Sequence, residues 1–315
     1  MKRRNFLQLT GAAAVATYGL SAAARPPAPT GVNAYRQARR FADLPCGRIA
    51  YVERGTGGAA LFLHGAPLNG FQWRGALDRL APYRRCIAPD FMGLGYSEIP
   101  ERQSVAPAAQ VAMLASLLDA LHVGQVDIVA SDSGGAVAQM FLVRYPARVR
   151  TMLLTDCDTE PDSPPPMIKP VLDMANAGTL ANDTAKWLTD KNLARATFGA
   201  AVYHDPAILT DDVIEYYVTP MVSTPLRRRQ YHEFHKALAP NSLAGIEAAL
   251  KRSTVPVRMV WGAADRIFPV ADAAYLDRTF ARSLGVRQVP EGKLFFQEEF
   301  PDVIAEEARR LWRVG

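Results

Sequence analysis

The segment Ala130-Ser131-Asp132-Ser133-Gly134-Gly135 sets one carboxylate among small residues. A strand-like apolar run, Val126 to Ala130, leads into it, and a helix-like run, Ala136 to Tyr145, leads out. The small residues therefore predict a sharp strand-to-helix elbow with Asp132 at its tip. A carboxylate presented in this way can attack carbon and form an ester, or it can move a proton. The competing role is a helix cap accepting the amides two or three residues on. A register with Ser133 at the tip fits less well, because the strand would run one residue further and the paired glycines would shift.

Other residues of the right type lie far away in sequence. His64-Gly65-Ala66-Pro67 and Gly262-Ala263-Ala264-Asp265 both follow strand-like runs, and Asp156 and Asp158 follow another. The imidazole that would serve a carboxylate nucleophile is absent from the terminal segment, since the final histidine of the chain is His235. His232 and His235 stand three apart on a helix-like stretch, but no third ligand accompanies them, so they are expected on an exposed polar face and no metal is expected. Arg227-Arg228-Arg229 reads as a solvated helix start. Cys46, Cys86 and Cys157 lack metal-ligand spacing and read as structural, with a Cys46–Cys157 disulfide left open.

The elements that must carry these residues alternate. Strands are expected at Arg48–Arg54, Ala59–Leu63, Arg85–Pro89, Val126–Ala130, Thr151–Thr155, Val257–Trp261 and Val286–Val289. Helices are expected at Ala106–Leu121, Gly135–Tyr145, Val270–Ala281 and Asp302–Trp312. This rhythm is that of an α/β fold with crossover helices. It breaks between Cys157 and Val255, where helix-period patterns replace strands, and it resumes at Val257. Residues 157–253 thus read as a helical cap inserted into a core of 45–156 and 254–315.

The 315 residues, 49% of them apolar, suffice for one large core with an insertion. The formal charge of +5 falls to +2 without Lys2, Arg3 and Arg4, which argues against nucleic acid as a partner. Those residues open an export pattern: Arg3-Arg4-Asn5-Phe6-Leu7, an apolar run from Leu9 to Leu20, then Ala22-Ala23-Ala24. Residues 1–24 are read as a twin-arginine signal cut after Ala24, giving a periplasmic or secreted product. The run is short of the roughly 20 residues needed to span a bilayer, so stable membrane insertion is not expected. Residues 25–44 read as a Pro-rich lead into the fold.

Taken in order, His64-Gly65-Ala66-Pro67, Asp90-Phe91-Met92-Gly93-Leu94-Gly95-Tyr96-Ser97, the Asp132 elbow and the Asp265 turn resemble the α/β-hydrolase fold family. Within it they are similar to the haloalkane dehalogenase and epoxide hydrolase branch, from about Gly47 to Trp312. The resemblance implies an eight-stranded, mainly parallel sheet with a helical cap. It implies Asp132 as nucleophile, Asp265 as the orienting acid with Asp156 or Asp158 as alternatives, and the amides of Ala66 and Ser133 as an oxyanion or halide pocket. His64 would brace its loop, and Pro67 would hold a cis bond. Val289-Pro290-Glu291-Gly292-Lys293-Leu294-Phe295-Phe296-Gln297-Glu298-Glu299 resembles the family's closing loop, with Leu294 in the place of the catalytic histidine.

Ser133 stands where dehalogenases carry tryptophan and Ala66 where they carry asparagine, which weakens the halide reading. Tyr203, Tyr216, Tyr217 and Tyr231 fall in the cap, where tyrosines serve epoxide opening or simply pack. The expectation is an enzyme on a small apolar molecule, with no cofactor and a non-standard cycle. Asp132 and Asp265, with no cation between them, would then form a carboxyl dyad suited to lyase or isomerase chemistry. The alternative is a catalytically silent relative that binds a hydrophobic ligand or partner. The pocket is expected between Asp132 and Met167, Trp187, Phe198 and Met221.

Overall fold

Eight strands form one sheet in the order β1-β2-β4-β3-β5-β6-β7-β8 in a computed structural model that describes residues 30–315. The strands are β1 Arg39–Leu44, β2 Gly47–Arg54, β3 Ala59–Leu63, β4 Arg85–Pro89, β5 Val126–Asp132, β6 Val149–Cys157, β7 Val257–Gly262 and β8 Ser283–Val289. β2 runs antiparallel to β1 and β4, and every other pairing is parallel. The central β3 is wholly buried and β5 nearly so, as expected of parallel strands covered on both faces.

From β3 the chain crosses to β4 on one side, then returns to β5 on the other. The loops after β3 and β5 therefore diverge at the sheet's carboxyl edge, where an α/β sheet opens a crevice. His64–Pro67 lines one side of that crevice and the Asp132 elbow the other. The Ala66–Pro67 peptide is cis, as the turn predicts.

Helices α1 Val32–Ala38, α2 Arg74–Leu80, α3 Pro107–Ala120 and α4 Ser133–Arg144 precede β6. α3 packs on α4, while α2 packs on Pro301–Trp312. The expected lead is corrected here: residues 32–44 are α1 and β1. Its alternation of polar and apolar residues at a half-exposed sheet edge hid β1, which no apolar run marks. The export signal read in residues 1–24 lies outside the described residues.

Between β6 and β7 the chain is helical, with Lys169–Ala177, Leu180–Thr189, Asp211–Val222 and Pro225–Lys236 as the longer segments. Arg227 fastens this insertion to the core. Its guanidinium donates to the carbonyls of Leu94, Gly95 and Ser97 at 3.1, 2.5 and 2.7 Å, and Gln230 reaches Ile99 O at 3.0 Å. Tyr203 and Tyr217 donate to Glu298, which also pairs with buried Arg74.

Two expectations change accordingly. Arg227 is a clamp rather than a solvated charge, because loop carbonyls left dry beneath the insertion need donors. His235 is buried against Tyr231 instead of lying on an exposed face, and His232 Nε2 accepts the Ala181 amide. The three cysteines are unpaired. Replacing the clamp by Arg227→Met should cost about 3 kcal/mol by leaving those carbonyls without a partner. Urea denaturation would show it, together with faster proteolysis within residues 163–253.

Candidate active site

Asp132 adopts φ 53° and ψ −134°, a left-handed backbone that a residue with a side chain rarely takes. Helix α4 starts at the next residue, so the elbow's tip is Asp132 and not Ser133. The glycines that follow explain how the chain turns so tightly. A Cβ on Gly134 would lie 2.6 Å from the carbonyl oxygens of Leu63 and His64, and one on Gly135 would lie 2.3 Å from Cys157 Cβ. The Asp132 carboxylate does not cap α4. Its Oδ2 instead accepts the Ala66 amide at 2.7 Å, across the crevice. The Ser133 amide also holds the charged form. These are the two amides expected to make the oxyanion pocket, and both act on the Asp132 carboxylate.

His64 is buried between two loops. Its Nδ1 donates to Gly65 O and its Nε2 accepts from the Phe91 amide, both at 2.9 Å, which assigns the tautomer. Burial drives its pKa down to about 4, so it stays neutral and braces β3's loop against β4's. None of the other four imidazoles is hydrogen-bonded to Asp132 among the described residues.

A polar chain missed at the sequence level runs beneath the elbow. The Gly65 amide donates to Gln72, whose Nε2 donates to Gln297 Oε1. Gln297 Nε2 in turn reaches Thr155 Oγ1 at 2.7 Å, Leu294 O at 3.1 Å and Ser131 Oγ at 3.3 Å. One side-chain amide thus ties the Leu294 loop to β5 and β6. A lone glutamine carries no motif, and only its burial in the fold reveals the role.

Leu294 is buried, and the neighbouring Phe295 packs toward the elbow: a Cβ on Gly65 would lie 2.6 Å from Asp132 Oδ2 and 2.7 Å from the Phe295 ring. Phe295 continues to Phe198 at 6.1 Å and Phe198 to Trp187 at 5.3 Å. The expected pocket is partly corrected. Met167 is 60% exposed, and the cavity beside the elbow is lined by Ser133, Asp158, Phe234 and Leu238 rather than by Trp187, Phe198 or Met221. The four cap tyrosines are engaged elsewhere, Tyr203 and Tyr217 on Glu298, Tyr216 on Arg39 and Tyr231 beside Thr184.

The acids fall into distinct roles. Asp265 gives its oxygens to the amides of Ile267 and Phe268, at 2.8 and 3.3 Å, and so caps its own turn. Asp156 accepts the Gly262 amide on Oδ1, while its fully buried Oδ2 has no partner. Asp158 is the carboxylate that acts most on Asp132, ahead of Asp265. Burial, then these neighbouring acids, holds Asp132 and Asp156 well above the ordinary carboxylate range. Burial likewise pushes Asp158 and Asp265 to about 6 and Asp272 to about 7.

Each of these acids holds its proton more tightly folded than unfolded, so it contributes stability at acid pH that is lost as pH rises through the folded value. His64 and His235, both lowered to about 4, act oppositely, but only below their unfolded value near 6.5. Between pH 6.5 and 8 the carboxylates act alone, and Tm should fall. Calorimetry on Asp272→Asn, which removes one of the protons involved, should show a shallower fall over that interval. Gln297→Leu should lower stability by about 3 kcal/mol at any of these pH values, by stranding buried hydroxyls and a carbonyl.

Comparison with known proteins places this geometry. Residues 60–307 match the Alpha/beta hydrolase family model. The chain is 37% identical over 131 residues to a haloalkane dehalogenase of Mesorhizobium japonicum, covering 41% of each chain. It is 26% identical over 272 residues to haloalkane dehalogenase 2 of Mycobacterium bovis, covering 84% of this chain and 92% of that one. Where identity exceeds a third, the chain spans about two fifths of the relatives' length. The solved epoxide hydrolase CorEH superposes with a TM-score of 0.74 at 21% identity, over 87% of this chain and 98% of that one, and shares the fold. This protein belongs to the α/β-hydrolase family.

Proposed function

We propose that this protein is an enzyme of the haloalkane dehalogenase and epoxide hydrolase branch in which Asp132 forms an ester with its substrate and the ester is not readily hydrolysed. The observation that carries this reading is the strained Asp132, with Oδ2 already seated on the Ala66 amide. Oδ1 is left to attack a carbon bearing a leaving group. A C–O bond forms, the carbon–halogen or epoxide C–O bond breaks, and its electron pair departs with halide or with the epoxide oxygen, which takes a proton from water. Oδ2 becomes the ester carbonyl and stays on the Ala66 amide, the position in which attack by water would place negative charge.

That second step needs a base. Leu294 supplies none, and a missing general base commonly costs about 10²- to 10⁴-fold. Asp158 beside Asp132 also favours a proton-transfer reading, with a dyad of Asp132 and Asp158 in place of the expected Asp132 and Asp265. The reading carries with it an apolar substrate body against Phe295 and Phe198, and an exported protein.

Incubation with a neutral alkyl bromide or epoxide, followed by intact mass and peptide mapping, should show a persistent adduct on Asp132. Its rate should keep rising with pH beyond the range in which an ordinary carboxylate is already ionised, because burial raises the Asp132 pKa. Loss of the adduct in Asp132→Asn supports the reading; no adduct in the wild type leaves the silent, ligand-binding alternative. Leu294→His should speed release of the adduct by at least tenfold. That gain should vanish on adding Asp156→Asn but survive Asp265→Asn, since Asp156 Oδ2 is the buried acceptor still free.

A further inference from the structure

Beside the elbow, under the helix Pro225–Lys236, lies a cavity of about 10 Å³, room for one water-sized group. Val105, Phe234 and Leu238 give it apolar walls, Ser133 and Asp158 give it acceptors, and Gln110, Ser163 and Ser242 complete its polar side, with the Ser163 side chain already bonded to Asp158. Ser133 is 3% exposed, and its Oγ has no hydrogen-bond partner among the described residues. A hydroxyl left dry and unpaired costs about 1–3 kcal/mol, so it marks a place built for another polar group.

The charge of that group follows from Asp158, the acid that lines the cavity, and from the acids coupled to it and to Asp132. Asp158 and Asp265 act on Asp132, Asp162 acts on Asp158, and all three act on Asp272; Asp265 acts on Asp156. None of the buried acids Asp132, Asp156, Asp158, Asp265 and Asp272 carries an ion pair with Lys or Arg among the described residues. Elsewhere in this molecule a buried acid has its cation, as Asp127 has Arg84 and Arg150, and Glu298 has Arg74. A dry carboxylate without a counter-charge, as Asp158 is when ionised, attracts a cation that also donates hydrogen bonds. At the size of one water, a primary ammonium fits, whereas a guanidinium or a quaternary ammonium does not.

We propose that the cavity beside Asp132 is a subsite for the primary ammonium group of the substrate, with the Asp158 carboxylate and Ser133 Oγ as its acceptors. The proposal rests on the reading of Asp132 as the reacting group, in that the group bound here belongs to the molecule that Asp132 attacks. The substrate class is then an amine with an electrophilic carbon close to the nitrogen.

Binding can be tested without chemistry. Calorimetric titration of the protein with n-propylammonium, n-propanol and tetramethylammonium should show propylammonium binding at least tenfold more tightly than either of the others. Asp158→Asn should remove at least tenfold of that affinity, and Ser133→Ala, which keeps the backbone amide, should remove about threefold. Equal binding of propanol, no binding of propylammonium, or unchanged affinity in both variants would overturn the proposal. If propylammonium binds through Asp158 but the neutral bromide leaves no adduct on Asp132, the subsite stands and the reading of Asp132 as nucleophile fails.

Discussion

The backbone at Asp132 is the constraint on which the site depends. A side-chain-bearing residue at φ 53° and ψ −134° costs about 1–3 kcal/mol and persists only where its surroundings leave no alternative. Here β3 presses on Gly134 from one side and Cys157 on Gly135 from the other, so the turn cannot relax. The Ala66 amide then fixes the carboxylate by one oxygen. Asp156, at the end of the neighbouring β6, also has positive φ, at 22°. Two acids thus stand with positive φ at adjacent strand ends.

Holding these groups in place requires a dry, polar scaffold. His64, Gln72 and Gln297 link the segments after β3, β4 and β8 to one another and to strands β5 and β6, with bonds that leave few of their own polar atoms unpaired. The same dryness raises the carboxyl pKa values, because charge is costly away from water and the nearest neighbours are themselves acids. The site thereby trades stability near neutral pH for a set of protons held inside it. Glu298 shows the contrast: Arg74 and two tyrosines satisfy it, and it ties the insertion to the core.

Much of the architecture was legible in the sequence. Strands buried on both faces read as unbroken apolar runs, which is why β3 through β7 were placed within a few residues. The Asp132 elbow was legible as well, since small residues at that spacing permit little else. β1 was not, because an edge strand needs no apolar signature. Arg227 and His235 were misjudged for a related reason. Their types suggest solvent, and only the loop carbonyls and aromatic rings packed against them give the buried polar atoms partners.

The sequence by itself determined the family, the alternation of strands and helices, and the identity of the residue at the elbow, because these follow from local composition and from the order of short motifs. Tertiary structure alone decided which acid stands where. Asp265 turned out to cap its own loop, Asp158 to be the acid that acts most on Asp132, and Asp156 to keep a free oxygen in the interior. Carboxylates of one type cannot be told apart along a chain. They differ through the amides, charges and water that surround them, and residues distant in sequence supply those surroundings.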